Sequence, residues 1–131
     1  MSFWGVKKGI KRRQSDILFS RLERAKRGDK CEKCGTTGTK YNLGLSHFWP
    51  RNNQTVRYDP LNVDVLHNIP CHQYFESHRE EYEAWKKDRI GEREYNKLMV
   101  LAHSTGRYDQ FIEKELCKQF RAEAKNLGIT I

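Results

Sequence analysis

Apolar residues recur at helical spacing in four parts of the chain and alternate loosely in a fifth. Ile17, Leu18, Leu22 and Ala25 share one face of a first helix, which Ser15 or Asp16 can cap and Gly28 can stop. Between residues 40 and 65 polarity alternates among turn formers (Asn42, Gly44, Pro50, Asn52, Asn53, Asp59, Pro60), which predicts short strands or a hairpin. Asn68 and Pro70 mark the opening of a second helix running to about Lys87, with Tyr74, Phe75, Tyr82 and Trp85 available for packing. After Gly91 the stretch EREYNKLMVLAH reads as a third helix. Thr105 or Asp109 opens a fourth, in which Ile112, Leu116, Phe120 and Ala124 repeat every four residues until Gly128. The order of helix, small β element and three helices is that of an α+β protein.

Composition limits how such a fold is held together. The chain has 131 residues, one domain's worth, of which 32% are charged, and its mean hydropathy is −0.92. A core that small is expected to need a staple. The net charge of +8 is concentrated: residues 1–30 carry ten Lys and Arg against three acids, which points to a polyanionic partner or to a solvated basic arm. No apolar run approaches the roughly 18 residues of a membrane span, and no secretory pattern opens the chain. The expected setting is therefore cytoplasmic and reducing, where four cysteines bind metal or remain thiols.

The staple has candidates. Cys31 and Cys34 have the C-x2-C spacing of a zinc knuckle, with Gly35 free to take a positive φ after them. Two further donors must come from the cluster LHNIPCHQYFESH at 66–78. His67 with Cys71 is preferred to the adjacent pair Cys71 and His72, whose side chains diverge. Zinc on Cys31, Cys34, His67 and Cys71 then leaves His72, Glu76 and His78. His72 and Glu76 are four apart and share a helical face, so they suit a catalytic divalent ion, with His78 as the alternative to Glu76 if the helix bends. Cys117 lies on the apolar side of the last helix and reads as a core thiol, and His103 reads as a ligand of helix-end carbonyls.

CEKC at 31–34, SHF at 46–48, RYDPLNV at 57–63 and LHNIPCH at 66–72 arrive in the order of the HNH nucleases, and the stretch 31–80 resembles that superfamily. Within it, RYDPLNV and WKKDRIGEREYNKL are most similar to the phage NinG (Rap) recombination proteins. The resemblance implies a zinc-stapled ββα-metal, treble-clef-like core at 31–88, between a basic arm and helix at 1–30 and a helical extension at 89–131. It implies a DNA endonuclease of branched recombination intermediates such as Holliday junctions and D-loops, working in the host cytoplasm, possible as a homodimer, with Mg2+ or Mn2+ beside the structural Zn2+.

Matched to the pattern, His47 would be the general base and Asn62 would orient its ring. Arg57 would clamp a phosphate, unless it pairs with Asp59 or Asp64. Lys7, Lys8, Lys11, Arg12 and Arg13 would grip the DNA backbone without reading sequence. Three positions depart from the pattern: Ser46 stands where many HNH nucleases carry a metal-binding Asp, His67 where NinG-type proteins have Cys, and His72 where they have Asn. The rival readings are a zinc-stapled nucleic-acid-binding module without chemistry and a sequence-specific HNH endonuclease.

Overall fold

A computed structural model of the chain describes residues 11–38 and 42–131. Among these residues, helix α1 (Gln14–Lys26) leads through a turn at 31–34 to strand β1 (Leu43–His47), a long loop with two tight helical turns, and strand β2 (Val63–His67). A turn at Asn68–His72 opens the short helix α2 (Gln73–Ser77), followed by α3 (Arg79–Ile90), α4 (Glu92–Ala102) and α5 (Gln110–Leu127). The fold is α+β, with five helices and one two-stranded sheet among the described residues. The strands are antiparallel, with His47 opposite Val63 and Leu43 opposite His67. None of these helices is long and apolar enough to cross a membrane.

Local signals account for most of the boundaries. Asp109 accepts the Ile112 N–H at 2.8 Å and so caps α5, and Gly128 ends it at φ 72°, where a Cβ would be strained. The first helix begins one residue before the expected cap: Arg13 is its N-cap, and Asp16, three residues in, accepts the Arg13 N–H at 2.7 Å. The expected single helix from 70 to 87 is broken at His78, which has φ −129° and ψ 66°. There Nδ1 of His78 donates to the Tyr74 carbonyl at 2.9 Å, while the Ser77 hydroxyl donates to the Gln73 and Tyr74 carbonyls at 3.2 and 3.1 Å. Local side chains thus take the carbonyls that a continuing helix would use.

Two apolar clusters clamp the sheet. One joins Leu43, Val65 and Leu66 to Phe48, Phe75, Tyr82, Tyr95 and Leu98, tying the strands to α2, α3 and α4. Phe75 and Tyr82 stack there with centroids 4.5 Å apart. The other packs Leu18, Phe19 and Leu22 of α1 on Phe120, Ala124 and Cys117 of α5, with Val63 at its edge. Burying each large side chain contributes about 1.5–3 kcal/mol.

A buried ion pair locks α3 to the ribbon. Lys86 Nζ lies 2.9 Å from Asp64 Oδ2, both side chains fully buried, and Arg89 reaches the other Asp64 oxygen at 3.0 Å. Burial alone favours the neutral lysine and holds the Lys86 pKa below its usual value, although Asp64 opposes this.

Candidate metal centre and cleft

The turn at residues 31–34 hangs on the end of β2. Glu32 N–H donates to the Val65 carbonyl at 2.7 Å, and Gly35 N–H to the Cys31 carbonyl at 2.8 Å, with Gly35 at φ 78°. His67 closes β2, and the turn around Pro70 brings Cys71 back beside it. As a result the donor atoms of Cys31, Cys34, His67 and Cys71 all lie within 4.8 Å of one another. Zinc–thiolate bonds of about 2.3 Å place tetrahedral ligands roughly 3.8 Å apart, so sub-ångström movements would close the site. Three thiols and an imidazole are the donor set of a structural zinc, and this cluster can hold such a metal.

The protonation of the cluster agrees with that chemistry. Hydrogen bonds from the Thr36 side chain and backbone favour the Cys34 thiolate and lower its pKa to about 6. Burial and the neighbouring Cys31 and Cys34 sulfurs push Cys71 up to about 12. Several thiolates repel when crowded, and a dication removes that cost.

His72 takes no part in the cluster. Its Nε2 lies 3.1 Å from Glu76 Oε1, one turn further along, and both side chains line a different feature. This is a cleft of about 900 Å3 lined by β1, by Arg12, Ile17, Ser20, Arg21 and Arg24 from the α1 region, by Arg51, and by His72, Glu76 and Arg79. His47, His72 and Glu76 all line this cleft. His78 does not line it; it is exposed, stacked on the Tyr74 ring with centroids 3.9 Å apart.

His47 ends β1 half-buried in the cleft. Its Nε2 lies 3.0 Å from the Arg57 carbonyl, which can only accept, so Nε2 carries the proton and Nδ1 presents its lone pair. Nδ1 has no partner among the described residues. Burial lowers the His47 pKa to about 4, partly offset by the Arg57 carbonyl, so the ring is neutral at pH 7.

Two expected roles need correction. Asn62 does not orient the His47 ring. It is fully buried, accepts the Trp49 N–H at 2.8 Å and donates to the Trp49 carbonyl at 3.0 Å, pinning both ends of the 48–62 loop together. Arg57 cannot clamp a phosphate, because it is 1% exposed and both its Nε and Nη2 bind Asp16 of α1. The pairings with Asp59 or Asp64 fail too. What Arg57 offers the cleft is its carbonyl.

Of the basic residues expected on DNA, Arg12 lines the cleft and Lys11 is exposed. Arg13 is turned inward, with its guanidinium 3.4 Å from the centroid of Tyr108 and hydrogen-bonded to Gln54 at 2.7 Å. Lys7 and Lys8 lie outside the described residues. Ser46, which departs from the Asp of the HNH pattern, is buried and shares a hydrogen bond of 2.9 Å with the Tyr82 hydroxyl.

Sequence reasoning missed Asp16, Arg51 and Arg79. The Asp16–Arg57 pair spans 41 residues and leaves no local signal. Arg79 had one: it stands four residues before Glu83 at the start of a helix, 3.5 Å from its carboxylate.

Comparison of the chain with family models, curated proteins and solved structures finds no match.

Proposed function

We propose that the chain is a divalent-metal-dependent DNA endonuclease with a zinc-stapled ββα-metal core, acting on branched recombination intermediates. The observation that carries this reading is the state of His47. Its Nε2–H is committed to the Arg57 carbonyl and its Nδ1 lone pair is free, in a cleft shared with His72 and Glu76 and rimmed by arginines. A general base needs that tautomer, a neutral ring and a route to substrate.

In the proposed reaction, a water held in the cleft attacks phosphorus. A bond forms between the water oxygen and phosphorus, the bond to one ester oxygen breaks, and the water's proton passes to His47 Nδ1. The departing oxygen takes a proton from solvent, and the products are a phosphate monoester and an alcohol. His72 and Glu76 would hold the Mg2+ or Mn2+, a mixed imidazole and carboxylate pair that suits such an ion with water in its other positions. When bound, that ion supplies Lewis-acid charge to the phosphate and to the leaving oxygen. Arg12 and Arg21 beside the cleft, with the basic residues before α1, would hold the DNA backbone without reading sequence. Preference for a branch would follow from two protomers acting together.

One observation favours the second reading, a zinc-stapled nucleic-acid-binding module without chemistry. Ser46 is tied to Tyr82, so a cation beside His72 and Glu76 lacks the further donor, an Asp carboxylate, of the HNH pattern.

Labelled four-way junction, flap and linear duplex, incubated with and without Mg2+ or Mn2+, separate the two. The nuclease cleaves branched DNA only with the divalent ion, and His47→Ala abolishes cleavage while the zinc content stays unchanged. Binding without cleavage under every ion leaves the clamp. Equal cleavage by His47→Ala removes the imidazole from the chemistry.

A further inference from the structure

Arg79 opens α3 and lines the cleft, and its place is set by the residue next to the proposed base. Its guanidinium carbon sits 4.0 Å from the centroid of the Phe48 ring, and Nη1 donates to the Phe48 carbonyl at 2.9 Å. Phe48 directly follows His47, so imidazole and guanidinium are indexed on the same stretch of backbone. The Nε is 3.5 Å from Glu83 Oε2, and the side chain is 44% exposed. A guanidinium has five N–H donors. The second Nη1 proton and both Nη2 protons have no partner among the described residues, and the side chain lines the cleft with His47, His72 and Glu76.

The other cationic side chains around Asp16 are differently placed. Arg57 is consumed by Asp16, and Arg51 stands 3.9 Å from the same carboxylate. Glu76 lines the same cleft. Attack by water adds negative charge to the phosphorus centre, and Ser46 contributes no charge to position a second cation. A fixed guanidinium with free donors is what such a centre requires.

We infer that Arg79 holds the phosphate being cut and stabilises the charge that builds on it, an inference that rests on the nuclease reading. Its partners among the reacting atoms are the non-bridging oxygens of that phosphate. It accepts and gives no proton, so the hydrolysis balances as written above. The contact with Phe48 is the means by which a surface arginine is held still enough to act.

The test compares three variants of the zinc-loaded full chain on a labelled four-way junction with Mn2+. Arg79→Met keeps an apolar stem on Phe48 and removes the charge. Arg79→Lys keeps the charge and loses the fork. Arg21→Met removes an exposed cleft charge contributed by α1. At saturating DNA, Arg79→Met is expected to lose about 100-fold in turnover, the size of loss seen when one donor to developing charge is removed. Its melting temperature and its affinity for junction without added Mn2+ should change little, and Arg79→Lys should recover part of the rate. Arg21→Met should weaken junction binding and raise KM.

Wild-type turnover in Arg79→Met overturns the inference and leaves the nuclease reading standing. A loss confined to KM does the same, making Arg79 a docking contact like Arg21. Equal losses in Met and Lys variants with lowered melting temperatures assign Arg79 to packing and also overturn it. Failure of the wild-type protein to cleave under any divalent ion removes both readings together.

Discussion

Replacing Arg57 with Met distinguishes a buried tie from a phosphate clamp. The guanidinium is spent on Asp16 through Nε at 2.9 Å and through Nη2, on the Arg51 carbonyl at 2.8 Å and on the Lys11 carbonyl at 3.3 Å. Methionine fills much of the same space but strands a carboxylate that is 5% exposed. Removing one member of a buried pair typically costs about 3–5 kcal/mol. Asp16 keeps the Tyr58 hydroxyl at 3.0 Å and the Arg13 N–H at 2.7 Å, so the lower end, about 3 kcal/mol, is expected. That is a large share of the roughly 5–15 kcal/mol that holds a domain together.

Urea titration of the zinc-saturated protein at pH 7 measures the loss, and Asp16→Asn with Arg57→Met should lose less than Arg57→Met alone. Acid should shrink the difference. Burial raises the Asp16 pKa, but Arg57 and the Arg13 N–H outweigh it and hold the group below 3.8. The pair's contribution is therefore full above 3.8 and fades as pH falls through the folded value, where the carboxyl protonates. A variant within about 1 kcal/mol of wild type, the range of an exposed pair, but with weakened DNA binding would refute this argument and return Arg57 to the surface.

Three further expectations can be checked separately. Chelation of zinc, or Cys31→Ser, should unfold the core in circular dichroism, since structural zinc contributes on the order of 10 kcal/mol or more; a folded apo-protein with the native melting temperature would contradict this. Lys86→Met should destabilise by about 3–5 kcal/mol because Asp64 is left buried without its partner, and Asp64→Asn in the same chain should recover part of it in thermal melts. The acid limb of kcat/KM should fall near pH 4, where burial places His47, well below the ordinary 6.5. With His47 as the proposed base the neutral ring would be the active form, so activity would persist above that value and disappear below it; an acid limb at 6.5 would mean that the ring is solvated.

Local chemistry was readable where the responsible residues are neighbours in sequence. Cys31 and Cys34 announce the knuckle, Asp109 and Gly128 bracket the last helix, and His103 donates to the Met99 carbonyl at 2.8 Å as its place near a helix end suggested. Cys117 is buried in the α1–α5 cluster, as the apolar face predicted. The choice of His67 over His72 also followed from side-chain direction along the chain.

What stayed hidden was set across long sequence separations. Nothing near Arg57 reveals that Asp16, on the first helix, will swallow it. Nothing near Asn62 shows that its amide will bind both the N–H and the carbonyl of Trp49 rather than an imidazole. The break at His78 was the intermediate case: its cause is local, but it depends on Ser77 and His78 competing successfully for carbonyls that a stronger helix would keep.

The strand register has one more consequence. Because His47 faces Val63 while Leu43 faces His67, the sulfur cluster and the His47 ring occupy opposite tips of one five-residue ladder, roughly 13 Å apart at the usual rise per residue. Tuning at one tip barely reaches the other. Exchanges around His47 can therefore alter that end of the ribbon and leave the sulfur cluster intact.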